Sequence, residues 1–417
     1  MLNIIALIIT ILGSTLPGQT AEPISNFYSK ETPYDDATNS DVTPPPAGYS
    51  MIFLETVGRH GARSLTNDDP EKTALKTWEK AKEANALTSL GKGFKADVEA
   101  FQKVEHDIGY GQLSSLGKKQ WSGIGKRTAT NYASFFEGLQ SSQDKVVFEA
   151  SPVYRTQQSA DSMRASIEKA YPSLNAPSTL IDPGLVLPGG STSTGRKAID
   201  DILHRDDVRA AAFDVLKRLY KPDFVDNVLN GRVEKALAIY KLYITAPGMV
   251  DETDVTFSEY VPQYDARLLA YANDASSFYL HGPGVEGEDN SYKMAQPLLD
   301  DFLSSLDRRV AGGKTAVVFR LAHGETTMPF EALIKAPGSE KQAPADTGYT
   351  YADNPWRGDI AGQLAGNVEW AAYKNAAGKV LVTMRLNEEP VKFNSSCVPS
   401  TESPFFYTVL SLKTCLH

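Results

Sequence analysis

The sequence predicts an α/β fold in which a mainly parallel sheet is flanked by helices and carries an inserted, mostly helical lobe. Three apolar, strand-like runs each end in a short polar turn and lead into a helical pattern. Strands that alternate with helices in this way pair in parallel. Between the second and third runs lies a long stretch whose apolar residues recur only at helical spacing. At 417 residues and 41% hydrophobic, the chain can form one large core with an inserted lobe, or two domains.

The N-terminal segment has the pattern of a secretory signal. Leu2 to Leu12 is a short apolar run followed by small and turn residues up to Ala21. A membrane-spanning helix needs roughly 20 apolar residues, so a cleaved signal fits better. We therefore predict a signal peptide over residues 1–21 and a secreted or periplasmic protein, with a retained membrane anchor as the alternative. No later segment is both apolar and long enough to span a membrane.

The next segment leads into the first strand. Residues 22–49 are polar and rich in turn formers, and consecutive prolines favour extended geometry, so we predict an N-terminal arm that covers the surface. The run MIFLETV predicts a buried strand, and GRHGAR predicts the turn at its carboxyl end. Arg59 and Arg63, four residues apart, can lie on one side of the first turn of a helix. His60 then lies between them, and Thr66 lies one turn further on.

Two later segments repeat this design. DKVVFEASPVYRT contains a β-rich run, a break at Ser151 and Pro152, and a helix that carries Arg155 in its first turn. GKTAVVFRLAHGE contains a strand followed by His323 and Glu325 at the start of a helical stretch. Open parallel sheets bind ligands outside the carboxyl ends of their strands. We therefore expect one pocket to collect all three motifs.

The helical stretch between the motifs suggests how the chain is divided. Segments such as AIDDILHRDDVRAAAFDVLKRLY have apolar residues on one face and charged residues on the other. We predict a helical cap lobe over residues 195–300. The α/β core domain is predicted to consist of residues 50–194 and 301–417, with a helical excursion around 69–137.

The charge of the chain limits its partners. The formal net charge is −9, so long-range attraction to nucleic acid or to an anionic membrane is not expected. An anionic ligand must instead be held by local positive charges. The motifs supply such charges, which makes a small anionic molecule the expected ligand.

The two cysteines, Cys397 and Cys415, both lie near the C-terminus. In an exported protein, two cysteines this close in sequence most simply form one local disulfide. In a cytosolic protein they would be inert buried thiols. Neither their number nor their spacing supports a zinc site.

Taken together, the motif residues have the properties of a phosphoryl-transfer site. Each motif alone has an ordinary structural explanation, but such explanations do not predict three arginines and two histidines at the ends of three adjacent parallel strands. Guanidinium groups match phosphate oxygens, and a neutral imidazole can attack phosphorus. Glu325 can protonate the leaving alcohol, which favours acidic to near-neutral pH. No metal or other cofactor is required, because the arginines supply the positive charge that a metal would provide.

The motifs resemble those of the clade-2 histidine phosphatases, which include histidine acid phosphatases and phytases. The family signature is Arg-His-Gly-x-Arg, then Arg-Thr-x-x-Ser-Ala, then a C-terminal His-Asp or His-x-Glu. Residues 59–63, 155–160 and 323–325 match it in order. The His-x-Glu form is similar to the His-Ala-Glu of the multiple inositol-polyphosphate phosphatases. Gly324 replaces the usual Ala, which we expect to loosen the backbone that orients Glu325.

The resemblance implies a histidine phosphatase fold and a role for each motif residue. His60 would be the nucleophile, and Glu325 would be first the acid and then the base that activates water. Thr66 would contact phosphate, although a simple turn residue is nearly as good an explanation. The phosphate-binding residues implied are Arg59, Arg63, Thr66, Arg155 and His323.

The predicted function is stepwise dephosphorylation of inositol hexakisphosphate, a small-molecule phosphate ester. The alternative is a broad-specificity acid or sugar phosphatase, because substrate range depends on the lobe surface. Lysines and arginines that face the cleft from the helical lobe would favour a polyphosphate. A third interpretation is a phosphate- or phosphosugar-binding protein without turnover, and the combination of His60, His323 and Glu325 argues against it.

Overall fold

One eight-stranded sheet forms the centre of the structure. The computed structural model describes residues 27–35 and 42–416, so the predicted signal peptide lies outside the described residues. The strands are β1 (Tyr49–Arg59), β2 (Lys145–Ala150), β3 (Leu180–Ile181), β4 (Thr315–Ala322), β5 (Asn367–Asn375), β6 (Val380–Leu386), β7 (Glu389–Val391) and β8 (Tyr407–Thr408).

The strand order brings the ends of the three motif strands together. The order is β3-β2-β4-β1-β5-β6-β7, and β8 pairs with β6. β4 pairs in parallel with both β1 and β2, and β2 pairs in parallel with β3. Arg59 lies opposite Ala322, and Ala150 lies opposite Leu321, so the three strands end at the same level. The predicted parallel pairing is confirmed, while β5 to β8 add an antiparallel half that the sequence did not predict.

Helices cover both faces of the sheet and build the rest of the fold. They are α1 (Asp69–Glu83), α2 (Gly91–Ile108), α3 (Ser115–Asn131), α4 (Ala133–Ser142), α5 (Tyr154–Ala170), α6 (Ser193–Leu203), α7 (Asp206–Leu219), α8 (Pro222–Asn227), α9 (Arg232–Thr245), α10 (Gln263–His281), α11 (Gln296–Val310), α12 (Gly324–Leu333), α13 (Gly358–Ala361) and α14 (Val409–Cys415). The predicted α/β class with a mainly parallel central sheet is confirmed.

Alternate side chains of the central strands face two separate hydrophobic cores. On β1, Phe53 packs into a core with Phe302 of α11, whereas the neighbouring Leu54 packs into a core with Trp121 of α3 and Met163 of α5. Successive side chains of a strand point to opposite faces, so a strand covered on both sides is largely apolar on both. This arrangement explains why MIFLETV shows no polar alternation, and it fixes β1 in the middle of the sheet.

A third core joins helices from two distant parts of the chain. Trp78 of α1 and Phe94 of α2 pack with Leu216 of α7, Tyr240 of α9 and Leu269 of α10. Each large apolar side chain buried in this way contributes about 1.5–3 kcal/mol. The helical excursion near the N-terminus therefore packs with the helices that follow β3. The boundary of the cap lobe at residues 195–300 stays a prediction.

The C-terminal segment is fastened to the core. Cys397 and Cys415 form a disulfide, as predicted, and it ties α14 to the loop that follows β7. Leu412 of α14 is buried in the same core as Phe302. Among the described residues, none of the helices combines the length and the apolar character needed to cross a membrane.

Candidate active site

His60 follows the last residue of β1 and is almost fully buried. Its amide donates a hydrogen bond to the carbonyl of Ala322 at 2.9 Å, and its carbonyl accepts one from the amide of Ala365 at 3.0 Å. Imidazole Nδ1 lies 2.9 Å from the carbonyl oxygen of Gly61. A carbonyl can only accept, so Nδ1 carries the proton and Nε2 keeps its lone pair. Within the described ranges, Nε2 makes no hydrogen bond, so it is available as a nucleophile.

The segment after β1 is an extended loop and not the first turn of a helix, so that prediction was wrong. Arg63 forms a β-bridge with Leu113, and the carbonyl of Ala62 accepts a hydrogen bond from the amide of Ser114. These contacts replace the bonds that a helical turn would make. A Cβ atom at Gly61 would lie 2.5 Å from the carbonyl oxygen of Gly117, so the loop needs glycine to approach α3 this closely.

Arg59, Arg63 and Arg155 surround His60 with positive charge, and each keeps one unpaired donor. The Nε atom of each guanidinium is buried and has no hydrogen-bond partner in the part of the chain that the structure describes. Nη1 of Arg59 donates instead to the backbone carbonyls of Lys30 and Gly362, and Arg63 Nη1 donates to the carbonyl of Ser64 at 2.8 Å. Buried unpaired donors are costly, and the oxygens of an anion are the partners that guanidinium donors match best.

His323 joins the second and third motifs. It is the last residue before α12, and its ring lies 5.7 Å from that of His60, centroid to centroid. Nε2 is 2.8 Å from Ser151 Oγ, and Nδ1 is 3.4 Å from Nη2 of Arg155. Because a guanidinium can only donate, Nδ1 accepts and Nε2 carries the proton. The predicted convergence of the three motifs therefore occurs.

The positive charges and burial keep both histidines neutral. Burial lowers the pKa of the His60 imidazole well below its usual range, and the neighbouring arginines lower that pKa further. Burial, followed by the charge on Arg155, lowers the pKa of His323 to about 4. A neutral His60 is the form that can attack phosphorus, so its lone pair stays available well into the acidic range.

Glu325 lies in the first turn of α12. Its side chain is 43% exposed, and Oε1 lies 3.8 Å from Lys30 Nζ. Burial raises the pKa of the Glu325 carboxyl, but Lys30 and then Arg59 outweigh burial and lower that pKa to about 2. The carboxyl is therefore ionised in the free protein. A Cβ atom at Gly324 would lie 3.3 Å from Arg59 Nε, so this glycine lets α12 begin close to the guanidinium.

Thr66 does not share the burial of this cluster. It is exposed, in the loop between β1 and α1, and its hydroxyl makes no hydrogen bond to a site residue within the described ranges. The structure brings together His60, the three arginines, His323 and Glu325. A role for Thr66 in phosphate binding stays a prediction.

Sequence reasoning missed three charged residues that reach the cluster. Lys30 and Glu31 come from the N-terminal arm, and Lys241 comes from α9. The Glu31 carboxylate contacts Arg63 Nη2 at 3.0 Å and Lys241 Nζ at 2.8 Å. No motif surrounds these residues, so only the fold reveals their position.

Comparisons with known proteins agree with this geometry. The family described as "Histidine phosphatase superfamily (branch 2)" matches residues 50–365. The structure is similar to the multiple inositol polyphosphate phosphatase of Bifidobacterium longum, solved in complex with inositol hexasulfate, with 28% identity and a TM-score of 0.89. That match covers 94% of this chain and 98% of the other. Comparison with curated protein sequences finds no match.

Two more distant structures share the fold. The phytase of D. castellii is 13% identical with a TM-score of 0.67, covering 94% of this chain and 84% of its own. The phytase of Citrobacter braakii is 12% identical with a TM-score of 0.52, covering 88% and 97%. The family match spans all three motifs and most of the chain, which confirms the resemblance inferred from the sequence. The chain therefore belongs to branch 2 of the histidine phosphatase superfamily, the histidine acid phosphatases.

Proposed function

We propose that the protein hydrolyses phosphate monoesters through a phosphohistidine on His60, and that its substrate is inositol hexakisphosphate. The observation that carries this proposal is a neutral histidine with a free Nε2 under the charges of three arginines, each of which keeps a buried, unpaired Nε donor. Arg59, Arg63 and Arg155 would bind the phosphoryl oxygens and stabilise the charge that they carry in the transition state. Nothing in this chemistry requires a metal, since the arginines supply the positive charge.

In the first step, the lone pair of His60 Nε2 attacks phosphorus and the bond from phosphorus to the ester oxygen breaks. The leaving oxygen takes a proton from Glu325 and departs as the alcohol. The ring becomes positively charged, and its Nδ1 proton remains bonded to the Gly61 carbonyl, which stabilises that charge. In the second step, water attacks phosphorus and gives a proton to the Glu325 carboxylate. The bond from phosphorus to nitrogen breaks, inorganic phosphate leaves, and neutral His60 is restored.

The low pKa of Glu325 in the free protein fits the second step directly and the first step only after substrate binds. A bound phosphate dianion offsets the positive charge of Arg59, one of the two charges that most lower this pKa. The pKa of the Glu325 carboxyl then rises, and the protonated acid becomes accessible at mildly acidic pH. This reasoning keeps the expected activity on the acidic side of neutrality.

Lys30→Met is expected to move the pH dependence of activity. Lys30 contributes the largest charge effect that lowers the pKa of Glu325, so its removal raises that pKa. More of the acid is then protonated at a given pH in the enzyme–substrate complex, and the descending limb of kcat, which reports groups in that complex, should move up by about 0.5–1 pH unit. Lys76→Met, an exposed lysine on α1, is the matched control. If the descending limb of the pH profile does not move in the Lys30 variant, Glu325 is not the titrating acid.

Inositol hexakisphosphate is favoured as substrate by two observations. The Bifidobacterium longum phosphatase, similar over nearly the whole chain, was solved with inositol hexasulfate, a hexa-anionic ring. In this chain, Lys30 lies beside Glu325, at the side of the cluster where the leaving group would sit, and its side chain is 21% exposed. A leaving group that itself carries phosphates would gain from this positive charge, whereas a simple alcohol would not.

The test is phosphate release from inositol hexakisphosphate by the purified protein, with an aryl phosphate in parallel and a chelator present. We expect sustained release from the inositol substrate in the chelator, fastest at acidic to near-neutral pH. Release from the aryl phosphate alone would retain the mechanism but make the protein a general acid or sugar phosphatase. No release from either substrate, with phosphate still bound, would indicate a binding protein.

We also propose that the protein is exported. The disulfide between Cys397 and Cys415 is typical of proteins that fold in an oxidising compartment. The apolar N-terminal pattern, in residues outside the described ranges, is the second reason. Secretion of the full-length chain with loss of its first residues would test this proposal.

A further inference from the structure

Residues 27–35, which we call the N-terminal strap, are bound to both the helical and the sheet parts of the molecule. Tyr240 of α9 donates a hydrogen bond to the carbonyl of Phe27 at 2.7 Å. On the sheet side, the amide of Leu364 donates to the carbonyl of Thr32 at 3.0 Å. The strap is therefore held at both ends, with its centre next to the candidate active site.

A single buried carboxylate projects from the strap into the arginine cluster. Glu31 is 3% exposed and belongs to a short 3₁₀ helix, Ser29–Glu31. Its Oε1 lies 3.0 Å from Arg63 Nη2 and 2.8 Å from Lys241 Nζ, and its Oε2 lies 3.6 Å from Arg59 Nη2. One carboxylate thus contacts two of the three arginines that we assign to phosphate binding.

The contacts of Glu31 fix the orientation of the Arg59 and Arg63 guanidinium groups. The strap also accepts a hydrogen bond from Arg59 Nη1 through the carbonyl of Lys30. The Nη atoms of Arg59 and Arg63 are therefore engaged by Glu31 and by backbone carbonyls, while their Nε atoms remain unpaired. Without an anion between them, two adjacent buried guanidinium groups would repel each other and adopt other rotamers.

We infer that Glu31 is a positioning residue for phosphoryl transfer, which holds Arg59 and Arg63 in the orientation that receives the phosphate. The inference rests on the proposed function, because it assigns Glu31 a role in that same reaction. Arg63 and Lys241 hold the pKa of Glu31 well below its usual range, although burial opposes them, so the carboxylate stays charged wherever the enzyme works. The effect of Glu31 should therefore not depend on pH.

The alternative is that Glu31 occupies the phosphate position and inhibits the enzyme. A carboxylate in that position would engage the donors that phosphate needs, yet the Nε atoms of the arginines are unpaired. Glu31 is also held by Lys241, which lies outside the three motifs. The contacts therefore favour a support for the arginines over a competitor for their ligand.

The experiment compares Glu31→Gln with wild type on an aryl phosphate. The change keeps the size of the side chain and removes its charge. We expect kcat to fall about 10- to 100-fold, because small misplacements of binding groups cost this much, and the loss to be the same across the pH range. The inhibition constant of inorganic phosphate should rise by less than about threefold, since removing a negative charge does not weaken attraction to an anion.

Glu369→Gln is the matched control, because Glu369 is also buried and paired with an arginine, Arg385, but touches no site residue. It should lower the unfolding temperature without lowering kcat of the folded protein. Glu31→Asp keeps the charge and should recover part of the lost kcat. It also serves as the test variant should Glu31→Gln not fold, with a smaller loss of kcat expected and phosphate inhibition unchanged.

Three outcomes would overturn the inference. The first is an unchanged kcat in Glu31→Gln while wild type is active. The second is a higher kcat with tighter phosphate inhibition, which would make Glu31 a competitor. The third is an equal loss of kcat in Glu31→Gln and Glu369→Gln. This result would show that both residues affect turnover only through the general stability of the fold. An inactive wild type would instead refute the proposed function, and the inference with it.

Discussion

Replacing His60 with alanine is expected to lower kcat by at least ~10⁴-fold while inorganic phosphate still binds. The variant lacks the buried imidazole whose Nε2 keeps a free lone pair and on which the charges of the three arginines act. Arg59, Arg63 and Arg155 remain, so the anion site survives in weakened form. The loss should therefore appear in turnover and not in phosphate affinity.

The measurement is steady-state release from both substrates, together with calorimetric binding of inorganic phosphate. His204→Ala is a suitable control, because His204 lies at the exposed end of α6 with a side chain that is 68% exposed. The control should retain wild-type turnover. Turnover of His60→Ala within about tenfold of wild type would be incompatible with a nucleophilic role for this residue.

Glu325→Gln is expected to have the second largest effect, and one that depends on the leaving group. General acid catalysis contributes about 10²–10⁴-fold, so kcat for an inositol phosphate should fall by that factor. An aryl phosphate with a good leaving group needs little protonation, so its first step should be nearly unaffected. The second step also lacks its base, and the phosphorylated enzyme should accumulate.

Rapid mixing of Glu325→Gln with the aryl phosphate should therefore give a burst of phenol close to one equivalent, followed by slow turnover. Glu83→Gln, an exposed carboxylate on α1, should give wild-type kinetics and serves as the control. Equal losses for good and poor leaving groups, without a burst, would show that Glu325 acts neither as acid nor as base.

The sequence predicted the central strands and the meeting point of the motifs, because each of these features produces a sequence pattern with a single physical explanation. A strand buried on both faces is largely apolar, so the runs around Phe53 and Val318 identified the central strands. Parallel strands end at one edge, which placed Arg59, Arg155 and His323 together before the fold was known. For these features, local pattern and topology lead to the same conclusion.

The sequence was less informative where tertiary contacts decide. The spacing of Arg59 and Arg63 fits a helical turn, but pairing of Arg63 with Leu113 and close packing of Gly61 on Gly117 extend the loop. Glu31 lies in a polar, turn-rich segment with no periodicity, so nothing local marks it as buried. Its position depends on α9 and on the loop before β5, and those contacts are distant in sequence.

The most direct test of the mechanism is to detect the phosphoryl group on the enzyme. Wild type and Glu325→Gln would be mixed with the aryl phosphate, quenched within milliseconds in alkaline denaturant to preserve the acid-labile bond, and digested for mass spectrometry. We predict a phosphoryl group on His60 that appears before steady state and lasts longer in the variant. An active enzyme that carries no phosphoryl group on His60 at any time during turnover would contradict the proposed phosphohistidine.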